Sequence, residues 1–397
     1  MHRTEPFSFY TPTRIEYGIG KVEQQLGDEI ESLNSKKVLV VTDRGIVKAG
    51  ILEPVEAQLK KTGVDYDVFY EVESNPRDTT VVRIAAVAKE SKVDTIVAVG
   101  GGSPMDAAKA AGMLVTNGGE IYDYFGLDKV KARALPLITI PTTAGTASEI
   151  TFWSVVDDTR QEIVVKESIG SALICPTVAL ADPLMTVALP QHLTAFTGMD
   201  ALSHAMEGYF ALLAEPITDC LALRAIELIS RYLAPAVINR DDLEARDGML
   251  LGSVIAGVAF FNSDVALDHC LGEAIGGFND VHHGLIMGIL LPYVIEYNLA
   301  TNSQKFTDMA VAMGENVEGL TLLEAAQKSV DAVVKLSRTI NMPVLKDVDL
   351  RKEDFKKIAE MAMRNVSIES NPRKAKIEDL EKILQEAYDD KFQIATK

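Results

Sequence analysis

Cysteine is scarce in this chain of 397 residues: three occur. Cys175, Cys220 and Cys270 are odd in number, widely spaced and without a CxxC pair, which excludes a disulfide framework and a thiolate zinc cluster. A reducing, cytoplasmic setting is the expectation. Positive charge is also short, with 39 Lys and Arg against 57 Asp and Glu and a formal net charge of −18. That field repels nucleic-acid phosphates and anionic lipid head groups, so neither nucleic acid nor membrane is expected as a partner. Long apolar runs are missing as well. The start, MHRTEPFSFYTPTRIEYG, has no signal-type apolar core, and the stretch around Gly284 to Ile295 falls short of the roughly 18 residues of a membrane span. Repeats, low-complexity tracts and flexible linkers are not found. What is present is a globular composition, 47% hydrophobic and 24% charged, and at roughly 150 residues per domain the length suits two domains.

The first half alternates strands and helices. Val38 to Thr42 is a β-branched run followed by an amphipathic stretch to Lys61. Tyr66 to Tyr70 reads as a strand, Thr79 to Glu90 as a helix and Thr95 to Val99 as a buried strand. A helix from Pro104 to Val115 and a strand at Leu137 to Ile140 follow. Phe152 to Val156 and Glu162 to Val165 then flank residues 157–161 like a hairpin, and Thr177 to Ala181 closes the series. Such alternation predicts a parallel, Rossmann-like sheet. Beyond Pro190 strand runs vanish. Leu193 to Leu212, Asp219 to Tyr232, Leu243 to Phe260, Val265 to Phe278, Leu285 to Asn298, Leu322 to Ile340 and Ile377 to Ala387 carry helical apolar spacing. The chain therefore divides into an α/β domain, residues 1–186, and an all-α domain, residues 187–397. A cleft between two such domains is the default place for a ligand.

Two loops of the first half can meet an anion. Gly100-Gly101-Gly102-Ser103-Pro104-Met105-Asp106 joins a strand directly to a helix, with Ser103 suited to the N-cap, Pro104 to the first turn and Asp106 to a capping pattern. Bare glycines let backbone N–H groups at a positive helix terminus approach a pyrophosphate, although a tight turn alone also needs glycine. Pro141 to Glu149 leaves the next strand at its carboxyl end, where Thr142, Thr143 and Thr146 either contact a ligand or satisfy loop backbone. Asp43, just past the first strand, either accepts ribose hydroxyls or caps a turn.

Four of the six histidines, His204, His269, His282 and His283, crowd into one stretch of about eighty residues in the helical half. Asp200 and His204 stand four apart on a predicted helix, one turn apart on one face, and can share an ion. His269 lies on another predicted helix and His283 opens the next, so an Asp and three His could converge from three helices. Core or surface histidines would give the same spacing.

Together these segments carry a resemblance. GGGSPMDAAK at 100–109, PTTAGTASE at 141–149, Asp182-Pro183, GMDALSHAME at 198–207 and the stretch from His269 to Gly284 are similar, in order and along essentially the whole chain, to the iron-containing, group III alcohol dehydrogenases. The resemblance implies a dehydroquinate synthase-like architecture, a dinucleotide-binding first domain and a helical second domain holding a metal. It implies metal ligands at Asp200, His204, His269 and His283. It implies pyrophosphate at Gly101, Gly102 and Ser103, with Asp106, Thr142, Thr143 and Thr146 lining the cofactor site. Asp43 matches the acidic residue beside the adenosine ribose, whose charge favours NAD(H) over NADP(H). A homodimer or larger homo-oligomer is the usual assembly of relatives.

The expected chemistry is NAD(H)-linked hydride transfer between a small primary alcohol or diol and its aldehyde, with the metal as Lewis acid. Four protein ligands saturate tetrahedral zinc, whereas Fe(II) accepts a fifth, so Fe(II) is the first choice and Zn(II) the second. One departure stands inside the catalytic segment: where propanediol- and lactaldehyde-reductase-like members show HxxxH, this chain has His269-Cys270-Leu271-Gly272-Glu273. Glu273 lies one turn beyond His269 and is either a proton-transfer or substrate-binding group or a solvated helix residue. His282 reads as a neighbour of the site and not a ligand. Two other readings remain: a glycerol dehydrogenase-like polyol oxidoreductase, which typically binds zinc with one fewer histidine, and a dehydroquinate synthase-like lyase. The lyase must hold a phosphorylated substrate, yet Asp264 to Asn298 contains no Lys or Arg.

Overall fold

The computed structural model describes residues 6–160, 164–279 and 281–392. The chain forms two compact units that divide between Leu189 and Pro190. In the first, the strands are β1 (Arg14–Tyr17), β2 (Lys37–Val41), β3 (Asp65–Phe69), β4 (Thr95–Gly100), β5 (Gly126–Leu127), β6 (Leu137–Pro141), β7 (Trp153–Asp158), β8 (Val165–Gly170) and β9 (Val178–Ala181). Its helices are α1 (Lys21–Ser32), α2 (Arg44–Lys48), α3 (Glu53–Thr62), α4 (Asp78–Glu90) and α5 (Gly102–Asn117).

Six strands make one parallel sheet in the order β1-β9-β6-β4-β2-β3. The central strands read as continuous apolar runs because both faces are covered. Leu39, Val41, Ile96 and Ala98 join one core cluster with residues of α4 and α5, and Val38, Val40, Val97 and Val99 join another with residues of α1 and α3. The chain winds outward from β2 to β3 and then returns to the other side of β2 as β4. That reversal is the switch point at whose carboxyl edge open α/β sheets bind ligands.

Four local expectations need correction. The amphipathic stretch after β2 is two helices, because the chain turns at Gly50, whose φ of +73° favours glycine. Helix α5 begins at Gly102 with Gly101 at the cap position and no side-chain cap, so Ser103 is not the N-cap. Instead the Ser103 hydroxyl accepts from the Asn75 N–H at 3.2 Å. Strand β1, an edge strand pairing with β9, was not anticipated. The hairpin is present as antiparallel β7 and β8, but β8 spans Val165–Gly170, and the expected second strand from Glu162 begins outside the described residues.

The second unit is helical throughout its described residues. It contains α6 (Gln191–Phe210), α7 (Pro216–Ile238), α8 (Leu243–Ser263), α9 (Leu267–Phe278), α10 (His283–Asn298), α11 (Ser303–Ala312), α12 (Leu322–Thr339), α13 (Phe355–Ala362) and α14 (Ile377–Tyr388). No single described helix is long and apolar enough to cross a membrane. Helix α6 is buried almost all round from Gly198 to Phe210, including Asp200, Ser203, His204 and Glu207. Helix α10 starts hard against it at Gly284, where a Cβ would stand 2.4 Å from the Phe196 carbonyl oxygen and 3.2 Å from Asp200 Cβ. Only glycine permits that approach, and it fixes where His283 begins α10. Gly284→Ala must therefore push the helices apart, at an overpacking cost of about 1–3 kcal/mol. A thermal melt of the variant should show a lowered Tm, and a curve superimposable on the parent's would contradict this account.

Candidate metal and dinucleotide sites

Helix α6 presents Asp200 and His204 one turn apart, as their spacing requires. The Asp200 carboxylate is buried, and its Oδ1 accepts no hydrogen bond. Around that oxygen stand His204 Nδ1 at 3.7 Å, His269 Nε2 at 3.8 Å and His283 Nε2 at 3.6 Å. Asp200, His269 and His283 each offer one donor atom within a group no wider than 4.8 Å. Donors about 2.0–2.2 Å from a shared ion lie roughly 3–4 Å from one another, so this spread fits a common cation. His204 stands at the edge of that group. Its Nε2 lies 3.0 Å from His269 Nε2, and its ring stacks on Phe260 at 4.2 Å. His282 lies outside the group, with its ring against Phe196 at 5.6 Å. Burial and the neighbouring His192 lower its pKa to about 4 and keep it neutral.

Two further buried carboxylates flank His269. Glu207, on α6, lies with its Oε2 2.6 Å from His269 Nδ1 and its Oε1 accepting from the Asp268 N–H at 2.6 Å. Asp268 is held by the Ser203 hydroxyl at 2.5 Å. Burial opposes a charge on His269, but the Glu207 hydrogen bond and the surrounding carboxylates outweigh it and raise its pKa to about 9. Asp200 is pushed up to about 7, chiefly by burial. Glu273 follows one turn after His269 on α9 and accepts from Asn365 Nδ2 at 2.6 Å. It is therefore a hydrogen-bonded, half-buried group and not a solvated one.

In the first unit, Asp43, Gly101, Gly102, Ser103, Thr142, Thr143 and Thr146 follow the carboxyl ends of three adjacent strands, β2, β4 and β6. Gly100 takes a φ of +151°, and a Cβ there would meet Pro104 at 2.7 Å. Cβ atoms on Gly101 and Gly102 would press on Thr143 at 3.3 Å and Thr146 at 3.0 Å. The two loops thus interlock through missing side chains, and the first N–H groups of α5 have no side-chain cap. Asp43 caps α2, accepting from the Ile46 N–H at 2.9 Å through one of its two oxygens. Asp106 does not complete a capping pattern. Its Oδ1 accepts from Ser148 at 2.5 Å and Lys109 at 3.4 Å, and its Oδ2 accepts from the Val155 N–H at 3.1 Å.

Lys109 was not assigned a role from sequence. Its side chain is fully buried, burial lowers its pKa, and its Nζ also donates to Ser148 at 2.7 Å and the Trp153 carbonyl at 2.7 Å. With Asp106 it ties α5 to the threonine loop and β7. A lysine inside the small-residue run Ala107 to Gly112 is the signal that could have marked it. Glu207 was missed too; an acid one turn beyond His204, three residues along the same face, was its sign.

Residues 12–183 match the family described as iron-containing alcohol dehydrogenase, and residues 194–388 match the C-terminal part of the same family. The chain is 40% identical over 366 residues to the 1,3-propanediol dehydrogenase of Klebsiella pneumoniae, covering 91% of this chain and 94% of that protein. It is 36% identical over 381 residues to the NAD-dependent methanol dehydrogenase of Bacillus methanolicus, covering 96% and 99%. A crystal structure of 1,3-propanediol oxidoreductase superposes with a TM-score of 0.93 at 39% identity, covering 96% of this chain and all of that one.

The protonation of the cluster makes ion uptake a proton-releasing event. A cation held by His269 and Asp200 would have to displace the His269 proton, held up to about pH 9, and the share of Asp200 still protonated near pH 7. Titration calorimetry with Zn(II) in buffers of different ionisation heat should register at least one proton released at pH 7. Affinity should climb as pH rises from about 7 to 9. A pH-independent affinity over that interval would refute the assignment.

Proposed function

The chain belongs to the iron-containing alcohol dehydrogenase family and is an alcohol–aldehyde oxidoreductase; on that premise we propose that it transfers hydride between NAD(H) and a small primary alcohol or diol and its aldehyde. The observation that carries the reading is the buried Asp200 Oδ1, without a hydrogen bond and surrounded by three histidine rings from three helices. In this proposal residues 187–397 hold the ion through Asp200, His204, His269 and His283. Residues 1–186 hold the dinucleotide through Asp43, Gly101, Gly102, Ser103, Thr142, Thr143 and Thr146, with Asp106 supporting the turn from behind. When bound, an Fe(II) ion supplies Lewis-acid polarisation of a substrate oxygen, and nicotinamide supplies or accepts the hydride.

This chain's own residues then have separable tasks. The uncapped start of α5 offers N–H groups and helix-dipole charge to a pyrophosphate. Asp43 has a second carboxylate oxygen for a ribose hydroxyl and opposes a 2′-phosphate. Glu273, held by Asn365, faces substrate choice and proton transfer instead of the ion. A cytoplasmic location, on the cysteine count, and a homodimer or larger assembly complete the proposal.

A second reading has one observation in its favour: the tightest donor group is Asp200, His269 and His283, with His204 at its edge. One fewer histidine ligand is the pattern of glycerol dehydrogenase-like polyol enzymes, which bind zinc. An NADH- and NADPH-oxidation screen over small aldehydes and ketones, with Fe(II)- and Zn(II)-loaded protein, separates these. The proposal expects aldehyde reduction with Fe(II), NADH preferred over NADPH, and loss of metal and turnover in His204→Ala. Zinc-retaining His204→Ala with polyol activity would favour the second reading, and no NADH oxidation with either ion would sink both.

Glu273→Gln should leave metal content unchanged and lower kcat/KM, and Glu273→His should move the substrate range towards that of HxxxH relatives. If both variants match the parent in rate and substrate range, Glu273 has no part in the reaction.

A further inference from the structure

Glu207 contributes no proposed ligand, yet it is fully enclosed, with 0% exposure. No lysine or arginine hydrogen bond or ion pair neutralises it among the described residues. Its donors are instead three N–H groups of the first turn of α9: the Asp268 backbone at 2.6 Å, the His269 backbone at 3.4 Å and the His269 ring at 2.6 Å. Helix α9 has Ala266 at its cap position, with no side-chain cap of its own. The capping function has moved to an acid from another helix, and the same acid has captured the ring of the third residue of α9.

We infer that Glu207 is a positioning residue that sets the tautomer and donor strength of His269 and thereby the affinity of the site for its ion. A carboxylate only accepts, so His269 Nδ1 must be the donor. The neutral ring then carries its lone pair on Nε2, the atom 3.8 Å from Asp200 Oδ1 and 3.0 Å from His204 Nε2. The carboxylate also fixes the ring plane, so Nε2 is held in place before an ion arrives and presents its lone pair there once its proton is displaced. Polarising the Nδ1–H bond makes Nε2 a stronger donor.

This inference rests on the proposed ion site, and the experiment separates the two. Zn(II) affinity is measured by competition with a chelating dye for the parent and Glu207→Gln, alongside apo melting curves. The expected result is an affinity lowered about 10- to 100-fold in Glu207→Gln, with an apo Tm that still reports a folded protein. A lowered apo Tm with affinity within twofold of the parent would mean that Glu207 only caps α9, and would overturn the inference. A parent that takes up no ion would overturn the site and the inference together. Nitrogen-15 histidine spectra of the Zn(II)-loaded parent decide the case without a variant: a protonated Nδ1 and metal-bound Nε2 at His269 are expected, and metal at Nδ1 overturns it. Should Glu207→Gln fail to fold, that spectrum alone carries the test.

Discussion

A buried carboxylate without a hydrogen bond is the constraint around which the helical unit is built. Asp200 Oδ1 is shut away from water and given three imidazoles in place of N–H or O–H donors. Glu207 and Asp268 bring two more buried carboxylates to the same locality. Burying three acids is tolerable only if something positive offsets them. Without an ion the compensation is protons, on His269, on Asp268, whose pKa burial and the neighbouring Glu207 raise, and in part on Asp200. With an ion it is the ion. The close approach of α10 at Gly284 and the burial of α6 almost all round serve the convergence of these groups.

The α/β unit solves the matching problem differently. There the buried charge carries its own partners: Lys109 is enclosed with Asp106, two hydroxyls and a carbonyl. Every proton of that ammonium has an acceptor, so nothing needs to be recruited. What the network leaves open is the front of the turn, where Gly101 and Gly102 stand against Thr143 and Thr146 and the start of α5 is uncapped. A satisfied network behind an unsatisfied helix terminus is the electrostatic layout of an anion site.

Legibility in the sequence followed burial and spacing. Strands β2, β4 and β6 were readable because both faces are covered and their residues are mostly apolar and β-branched. Strand β1 was not, since Arg14, Ile15, Glu16 and Tyr17 give only four residues of charged–apolar alternation at a half-exposed edge. The short helices α11 and α13 escaped because ten and eight residues hold too few turns for a periodic signal. Asp200 and His204 were visible as an i, i+4 pair, and the family's motif order tied His269 and His283 to them. Lys109 and Glu207 left fainter signals: Lys109 has Asp106 three residues before it, but their other partners lie about forty and sixty residues away, at Ser148 and His269, and only those tertiary contacts show what they do. The capping pattern at Ser103 misread local chemistry that distant groups had already claimed, at Asn75 for the serine and Val155 for Asp106.

The proposed ligand set also implies a balance between holding an ion and using it. One carboxylate and three neutral imidazoles leave a divalent ion with a net charge of about +1. Each added increment of donor strength tightens retention but weakens the pull on a substrate oxygen. Glu207 sits on that balance without joining the proposed ligand set, because it hydrogen-bonds the His269 ring and acts on Asp200 only through its field. A carboxylate placed directly in the ligand set would cancel the remaining charge and quench the Lewis acidity. Placed one hydrogen bond behind, it strengthens a single donor while leaving the ion positive towards the substrate. The fold therefore keeps its acids in two layers, Asp200 at the centre and Glu207 behind a histidine, and that layering lets a cluster of buried negative charge serve a reaction that needs a net positive one.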